Sequence, residues 1–342
     1  KLRCALLRFK YPLQFYAVCF IIVRGDFLKK LWILPVLIFI LTSCTAPQPV
    51  KKTAFLLDTY ITITLYDASD STIIDKTMDF IKQYDALWNR NNPNSDISRL
   101  NSSTGFCDVD PQTKQIIELS LTYCELTGGL FDITTAPLSD LWNIKERTKP
   151  PAEAEIAAAR QKVDYHAVRF QGNQVSVYPA KVDLGAIAKG YIADRTKDFL
   201  LENGVNRAVI DLGGNIYAIG EKESGKPFQI GIQKPFSQDI MKTVSLSFSS
   251  AVTAGTYQRY FEKDGVVYHH IINPKTGYPA DTDLVSATVI SDNSTQNDAL
   301  STICILLGYD KSIDFLSSYY PTVSVFFVCK DGNTKTFGQL PQ

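Results

Sequence analysis

The chain has 342 residues, with 35 Lys or Arg balanced by 35 Asp or Glu and only three His, so it is long enough to bury a large core. The balance is uneven: residues 1–43 carry seven cations against Asp26 alone, a net of +6, which leaves −6 for residues 44–342. An acidic body without a basic stripe excludes nucleic acid as the partner, and so few histidines argue against zinc.

In chain order, Lys29-Lys30 precede the apolar run LWILPVLIFILTSC, a signal-type segment with a basic start and small residues at its end. Leu41-Thr42-Ser43-Cys44 resembles a bacterial lipobox, which would make Cys44 the lipidated first residue of the mature protein. The competing reading is an ordinary membrane anchor with an incidental cysteine. Residues 1–27 lie ahead of a normal n-region and read as untranslated sequence upstream of a start near Leu28. The expected organisation is a targeting segment over 1–43, a lipidated tether over 44–52 and one compact unit over 53–338.

Within that unit, Phe55–Tyr66 alternates like a strand, and Ser71–Trp88 carries apolar residues at helical spacing. Ser95-Asp96 starts a short helix, Pro111–Thr127 forms a longer one, and Leu130–Leu138 reads as a loop entering another. Ala152–Gln161 is a surface helix, and Val168–Val177 a hairpin about Gly172-Asn173. A helix opens with Lys189 in its first turn and stops at Gly204, followed by a strand over Arg207–Asp211 and a glycine turn. Strands are predicted over Phe228–Gln233, Thr243–Ser249, Val266–Ile272, Val285–Ser291, Val323–Val328 and Thr334–Phe337. Ser250–Gly255 reads as a loop of small residues, and Ser294–Gly308 as a helix. Helices and strands mix without a regular βαβ repeat, which places the chain in the α+β class. Cys124 and Cys304 fall in apolar helical patterns and are expected in the core.

Several constellations carry chemistry. The helix start at Lys189 offers unpaired N–H groups, a positive dipole end and a full charge, all suited to an anion. Asp298 and Thr302 share a helix face at i and i+4. They read either as hard-oxygen ligands for Mg²⁺ or Ca²⁺, or as a dipole partner and a back-bonded hydroxyl. His269 and His270 alternate on a strand, so one at most serves a given site, as general acid or base or as a structural histidine. Phe131 beside Asp132 reads either as a place for a flat heterocycle or as a core ring next to a cap. Asp211-Leu-Gly-Gly-Asn215 is a tight turn that a ligand could approach.

Taken together and in order, DLGAIAKGYIAD, IDLGGNIYAIG, HHIINPKTG, NDALST and the lipobox resemble the FAD:protein FMN transferases, the ApbE-type lipoproteins. The resemblance covers roughly residues 53–338. It implies an α+β, T-fold-like architecture with mixed or antiparallel sheets and packed helices. It implies an enzyme that uses Mg²⁺ and FAD as substrate, cleaves the pyrophosphate, and passes FMN through a phosphoester to a Thr or Ser of an acceptor subunit of a membrane redox complex, releasing AMP. The metal ligands would be the Ala186 carbonyl with the side chains of Asp298 and Thr302. FAD would be contacted by Leu57, Asn91, Leu130, Phe131, Asp132, Asp183, Lys189 and the backbone at Ile272, with His270 assisting proton transfer. The implied location is the bacterial cell envelope, lipid-anchored on the periplasmic or outer face.

Two departures stand out. Leu57-Asp58-Thr59 replaces a Met-Gly-Thr segment, and Asn91 aligns with a position often held by Tyr. Losing that ring loosens the hold on isoalloxazine and suggests an FAD pyrophosphatase giving FMN and AMP as the alternative to the transferase; from another class comes a non-catalytic FAD-binding lipoprotein.

Overall fold

The computed structural model describes residues 48–67 and 71–342. The targeting segment, with Cys44, lies outside the described residues. The N-terminal half contains β1 (Val50–Leu56), β2 (Thr59–Leu65), α1 (Ile73–Trp88), α2 (Asp96–Ser102), β3 (Cys107–Asp108), α3 (Pro111–Leu126), α4 (Ala136–Trp142), α5 (Glu153–Arg160), β4 (Arg169–Gln171) and β5 (Gln174–Ser176). Then come α6 (Ala188–Glu202), β6 (Ala208–Asp211), β7 (Asn215–Ile219), β8 (Phe228–Gln233), β9 (Ile240–Leu246), β10 (Ser249–Gly255), β11 (Tyr260–Lys263) and β12 (Val266–His269). The chain closes with β13 (Leu284–Ser291), α7 (Ser294–Leu307), α8 (Tyr309–Tyr319), β14 (Ser324–Cys329) and β15 (Thr334–Phe337).

The frame is an eight-stranded sheet in the order β1-β2-β6-β7-β10-β13-β14-β15, antiparallel at every pairing. Strand alternation sends neighbouring side chains to opposite faces. Val325 and Phe327 of β14 therefore join the core beneath α6 and α7, with Ile192, Leu300 and Ile303. Phe326 and Val328 join a second core, covered by Phe228, Val244 and Leu246 of the β8–β9 hairpin. Each fully buried aliphatic or aromatic side chain contributes about 1.5–3 kcal/mol, so burial on both faces ties the sheet to its helices on one side and to the hairpin on the other. A third cluster joins Leu138 and Trp142 of α4, Ile156 of α5 and Ile272. The Trp142 indole N–H donates to the Gly277 carbonyl at 2.7 Å, and Gly277 adopts the φ of +80° that its turn demands.

The expected helices form where their caps stand: Ser95 accepts from Ser98 N, Asp110 from Gln112 N ahead of Pro111, and Asn293 from Gln296 N. Cys124 and Cys304 are buried.

Three expectations change. Phe55–Tyr66 is two strands, because the chain reverses at Leu57 and Asp58, with φ of 55° and 60°. That turn lacks the usual glycine or asparagine; it is held by Asp85, whose carboxylate accepts from Leu57 N at 3.1 Å. Strand β1 also takes in Val50–Lys52, which the sequence placed in the tether. Ser250–Gly255 is no loop but part of β10, paired on both sides by β7 and β13. Its small side chains let α7 lie close: Ser250 Oγ donates to Ser294 Oγ at 2.9 Å, and Asn297 donates to the Ser250 carbonyl at 3.1 Å. Helix α8 and the short strands β3, β7 and β11 had no counterpart in the sequence reading.

Candidate active site

The sheet and helices α6 and α7 leave a cavity of about 1130 Å³, above the roughly 300–1,000 Å³ of most small-molecule pockets and roomy enough for a dinucleotide. Its charged lining is Asp58, Asp85, Asp132, Asp140, Glu146, Asp183 and Asp298 against Arg90, Lys145, Lys189 and Arg259, a formal −3.

The floor is built where α6 meets α7. Asp194 of α6 caps the start of α7, accepting from Ser294 N at 3.0 Å, Thr295 N at 2.8 Å and Thr295 Oγ1 at 2.6 Å. Gly190 makes the crossing possible. A Cβ there would stand 2.7 Å from Asp298 Cβ and 2.8 Å from the Ser294 carbonyl carbon, inside van der Waals contact. The bare backbone instead donates Gly190 N–H to Asp298 Oδ2 at 2.8 Å.

The helix start predicted to cradle an anion thus already holds one, the Asp298 carboxylate. Asp298 serves the dipole of α6 rather than its own helix. Burial raises its pKa, opposed first by the Lys189 charge and then by the Gly190 N–H. Gly190 is the third residue of α6, so its N–H is one of the first-turn donors without a partner inside the helix, and the Ala186 carbonyl lies just ahead of the N-cap, Ile187. That carbonyl is left without a hydrogen-bond partner among the described residues, as is the Thr302 hydroxyl. Three hard oxygens with spare capacity, from Ala186, Asp298 and Thr302, therefore line one pocket, a donor set that fits Mg²⁺ or Ca²⁺. Lys189 lines the same floor, with no salt bridge among the described residues.

The two histidines part company, although the strand predicted over Val266–Ile272 ends at His269 and His270 lies in the bend after it. His269 is buried; Ile271 N donates to its Nδ1 at 3.3 Å, and its Nε2 lies 2.9 Å from the Ala280 carbonyl. That arrangement makes it a neutral structural residue. His270 lines the cavity. Burial first, then chiefly the positive charges of Arg259 and Lys189, hold its pKa down at about 3. Its Nδ1 lies 3.4 Å from the Arg259 carbonyl. A carbonyl only accepts, so Nδ1 carries the hydrogen and Nε2 keeps its lone pair.

Asp183 also lines the pocket, but its oxygens are engaged: Oδ2 accepts from Arg90 Nη1 at 2.7 Å and Oδ1 from Gly185 N at 2.9 Å. Arg90 pairs at the same time with Asp140. Leu57, Asn91, Leu130, Asp132 and Ile272 all line the cavity. Asn91 is exposed, and Asp132 Oδ1 accepts from Thr134 N and Oγ1, both at 2.7 Å. Burial raises the Asp132 pKa against those two bonds. The Phe131 ring is 2 % exposed and packs edge-on against Tyr123. It is a core ring rather than an open stacking face. The turn at Gly213-Gly214 reaches the pocket, although Asp211 Oδ1 already takes both N–H groups, at 3.0 and 3.1 Å.

A sequence model of the ApbE family matches residues 57–327. The chain belongs to the ApbE family. A relative from Treponema pallidum, named FAD:protein FMN transferase, is 33 % identical over 280 residues, 75 % of this chain and 77 % of its own. One of the same name from Klebsiella pneumoniae is 34 % identical over 267 residues, 75 % and 82 % of the two chains. Among solved structures, the ApbE protein of Thermotoga maritima superposes with a TM-score of 0.78 at 30 % identity, covering 84 % of this chain and 96 % of that one. The flavin transferase ApbE of Vibrio cholerae gives 0.76 at 25 % identity, with 86 % and 97 % covered. These relatives place the chain among enzymes, and its α+β fold of antiparallel sheets and packed helices is the ApbE fold.

In this ApbE-family site, the sequence pointed to the floor and to His270 but missed Arg90, Asp58, Lys145 and Arg259. No local pattern marks them; Lys145 and Arg259 both pair with Asp58, across 87 and 201 positions respectively.

Proposed function

We propose that this chain is a Mg²⁺-dependent FAD:protein FMN transferase. It moves FMN from FAD to a Thr or Ser hydroxyl of an acceptor redox protein, a subunit of a membrane redox complex, and releases AMP. The observation that carries the reading is the floor: a buried Asp298 on an α6 N–H, with the idle Thr302 hydroxyl and Ala186 carbonyl in the same cavity as His270. The flavin and its acceptor come from the names of the relatives.

Ala186, Asp298 and Thr302 would hold the divalent ion, which when bound supplies charge neutralisation for the pyrophosphate oxygens. A pocket of net negative charge would otherwise repel that anion. Lys189 adds a cation beside Asp298. His270 stays neutral in the empty pocket, and a bound pyrophosphate raises the basicity of its Nε2 by opposing the Arg259 and Lys189 charges. Nε2 then takes the proton from the acceptor hydroxyl as its oxygen bonds to the FMN phosphorus and the bridging P–O bond to AMP breaks. The Arg90–Asp140–Asp183 end, one cation against two carboxylates, suits the N–H and hydroxyl donors of the isoalloxazine and ribityl part.

Asn91 favours a second reading. It is exposed at the cavity lining where an aromatic would cover the ring, and a looser, wetter site lets water replace the acceptor. Co-expression with a candidate redox subunit, followed by in-gel flavin fluorescence, tests the proposal. A fluorescent acceptor band lost on chelation is expected. FMN and AMP released with no labelled acceptor would make the protein an FAD pyrophosphatase, and intact FAD after prolonged incubation with Mg²⁺ would leave a flavin-binding lipoprotein. The anchor at Cys44 and the periplasmic or outer face belong to the same proposal; palmitate labelling that survives Cys44→Ser would remove them.

A further inference from the structure

A polar cluster at the edge of the cavity is left without a role by the reaction above. Asp58, Lys145 and Arg259 come from three separate segments: the β1–β2 turn, the chain after α4, and the β10–β11 connection. Lys145 Nζ pairs with Asp58 Oδ2, and Arg259 Nη2 lies 3.1 Å from that same oxygen and 3.2 Å from the Asp58 carbonyl. One carboxylate is shared between two cations here, the reverse of the Arg90 cluster, where one cation lies between two carboxylates. Asp58 anchors Arg259 by a single nitrogen. Its Nη1 and Nε have no hydrogen-bond partner among the described residues, and two such donors in a planar fork match the oxygens of a phosphate.

The cluster also adjoins the reacting centre. His270 N donates to the Arg259 carbonyl at 3.1 Å, and the charges of Arg259 and Lys189 both bear on the same imidazole. Lys189 belongs to the helical floor and Arg259 to the edge. A pyrophosphate has two phosphorus centres, each carrying negative charge, and a site with one cation at the floor and one at the edge offers each phosphate its own.

We propose that Arg259, positioned by Asp58 and reinforced by Lys145, holds the second phosphate of the pyrophosphate, while Lys189 and the Asp298 floor hold the first. This rests on the FAD reading above. When the acceptor oxygen bonds to the FMN phosphorus, the bridging oxygen leaves with AMP, whose phosphate gains one negative charge, and the acceptor proton passes to His270. The phosphate on Arg259 is therefore either the one that departs or the one that is attacked, and the ligand series separates these.

The test is calorimetric titration of the purified protein, in Mg²⁺, with FAD, AMP, adenosine, FMN and riboflavin. Wild-type protein is expected to prefer AMP to adenosine and FMN to riboflavin. In Arg259→Gln, one of those two preferences falls at least about tenfold, the scale of a charge-assisted hydrogen bond, while adenosine and riboflavin bind as before. The arm that falls names the phosphate. Arg259→Lys restores part of the preference, and Asp58→Asn, which tolerates the φ of 60°, lowers it less than Arg259→Gln does. Both preferences surviving in Arg259→Gln, or failing equally for the ligands without phosphate, overturns the proposal. Wild-type protein that binds FAD but shows no phosphate preference overturns it too and leaves the FAD reading standing. Binding of none of the ligands removes both.

Discussion

The floor and the edge of the cavity are built in opposite ways. The floor is two helices crossing at Gly190, with Asp194 capping one helix from the other and Asp298 returning the favour. Its carboxylates, Asp194 and Asp298, are buried and its geometry is set by backbone. The edge is made of long side chains from loops, half in solvent: Arg259 is 39 % exposed and Asp58 47 %. Exposed pairs of this kind contribute little to stability, about 0–1 kcal/mol. The comparison teaches that the floor holds the fold and the chemistry at once, whereas the edge is free to serve the ligand alone.

That contrast can be broken at the floor first. Asp298→Ala should lower turnover by roughly a thousandfold, the scale of losing a metal ligand and the charge it brings, with circular dichroism unchanged; retained turnover would take Asp298 out of the metal set. His270→Gln should cost about a hundredfold in kcat, the usual worth of a general base, with little change in FAD affinity. An unchanged kcat would assign His270 to packing.

Gly190→Ala adds one methyl group into the helix crossing and should destabilise by about 1–3 kcal/mol, the range for overpacking, measured as a drop in Tm. An equal or higher Tm would mean that the crossing has room to spare. At the edge, Lys145→Gln should leave the unfolding free energy within about half a kcal/mol of wild type, and a large loss would show that the edge is structural after all.

The pocket can also be probed by pH. The His270 pKa is held at about 3 in the folded chain, against roughly 6.5 unfolded. The unfolded state therefore binds the extra proton between those values, and this histidine subtracts stability as pH falls below 6.5. At pH 5 linkage gives about 2 kcal/mol. Denaturant titrations of His270→Gln and wild type should diverge by that amount between pH 7 and 5, wild type losing more. Parallel curves would mean that the imidazole is not held neutral by the pocket.

Much of this was legible in the sequence because it is local. Helices at Pro111–Leu126 and Ser294–Leu307 announce themselves through caps and apolar spacing. Asp298 and Thr302 lie four residues apart on one helix, so their shared face follows from helical geometry. That one histidine at most would serve the site was expected from strand alternation, although β12 ends at His269 and His270 lies in the bend that follows. The failures are equally physical. The turn at Leu57-Asp58 has residues that rarely take positive φ, and distant partners, Asp85 and Arg259, hold it. Ser250–Gly255 looked like a loop because small residues usually mark one, yet here they make room for α7 in mid-sheet.

By itself, then, the sequence determined the α+β class, most helices, the metal-type oxygens on α7 and the family motifs, all set by spacing along a single element. Only the tertiary structure decided that the Gly190 N–H belongs to Asp298, that Phe131 is a core ring, and that Arg90, between two carboxylates, and Arg259, on a carboxylate shared with Lys145, line one cavity. Those outcomes depend on partners tens to hundreds of residues apart, and no local pattern records which distant group a side chain will meet.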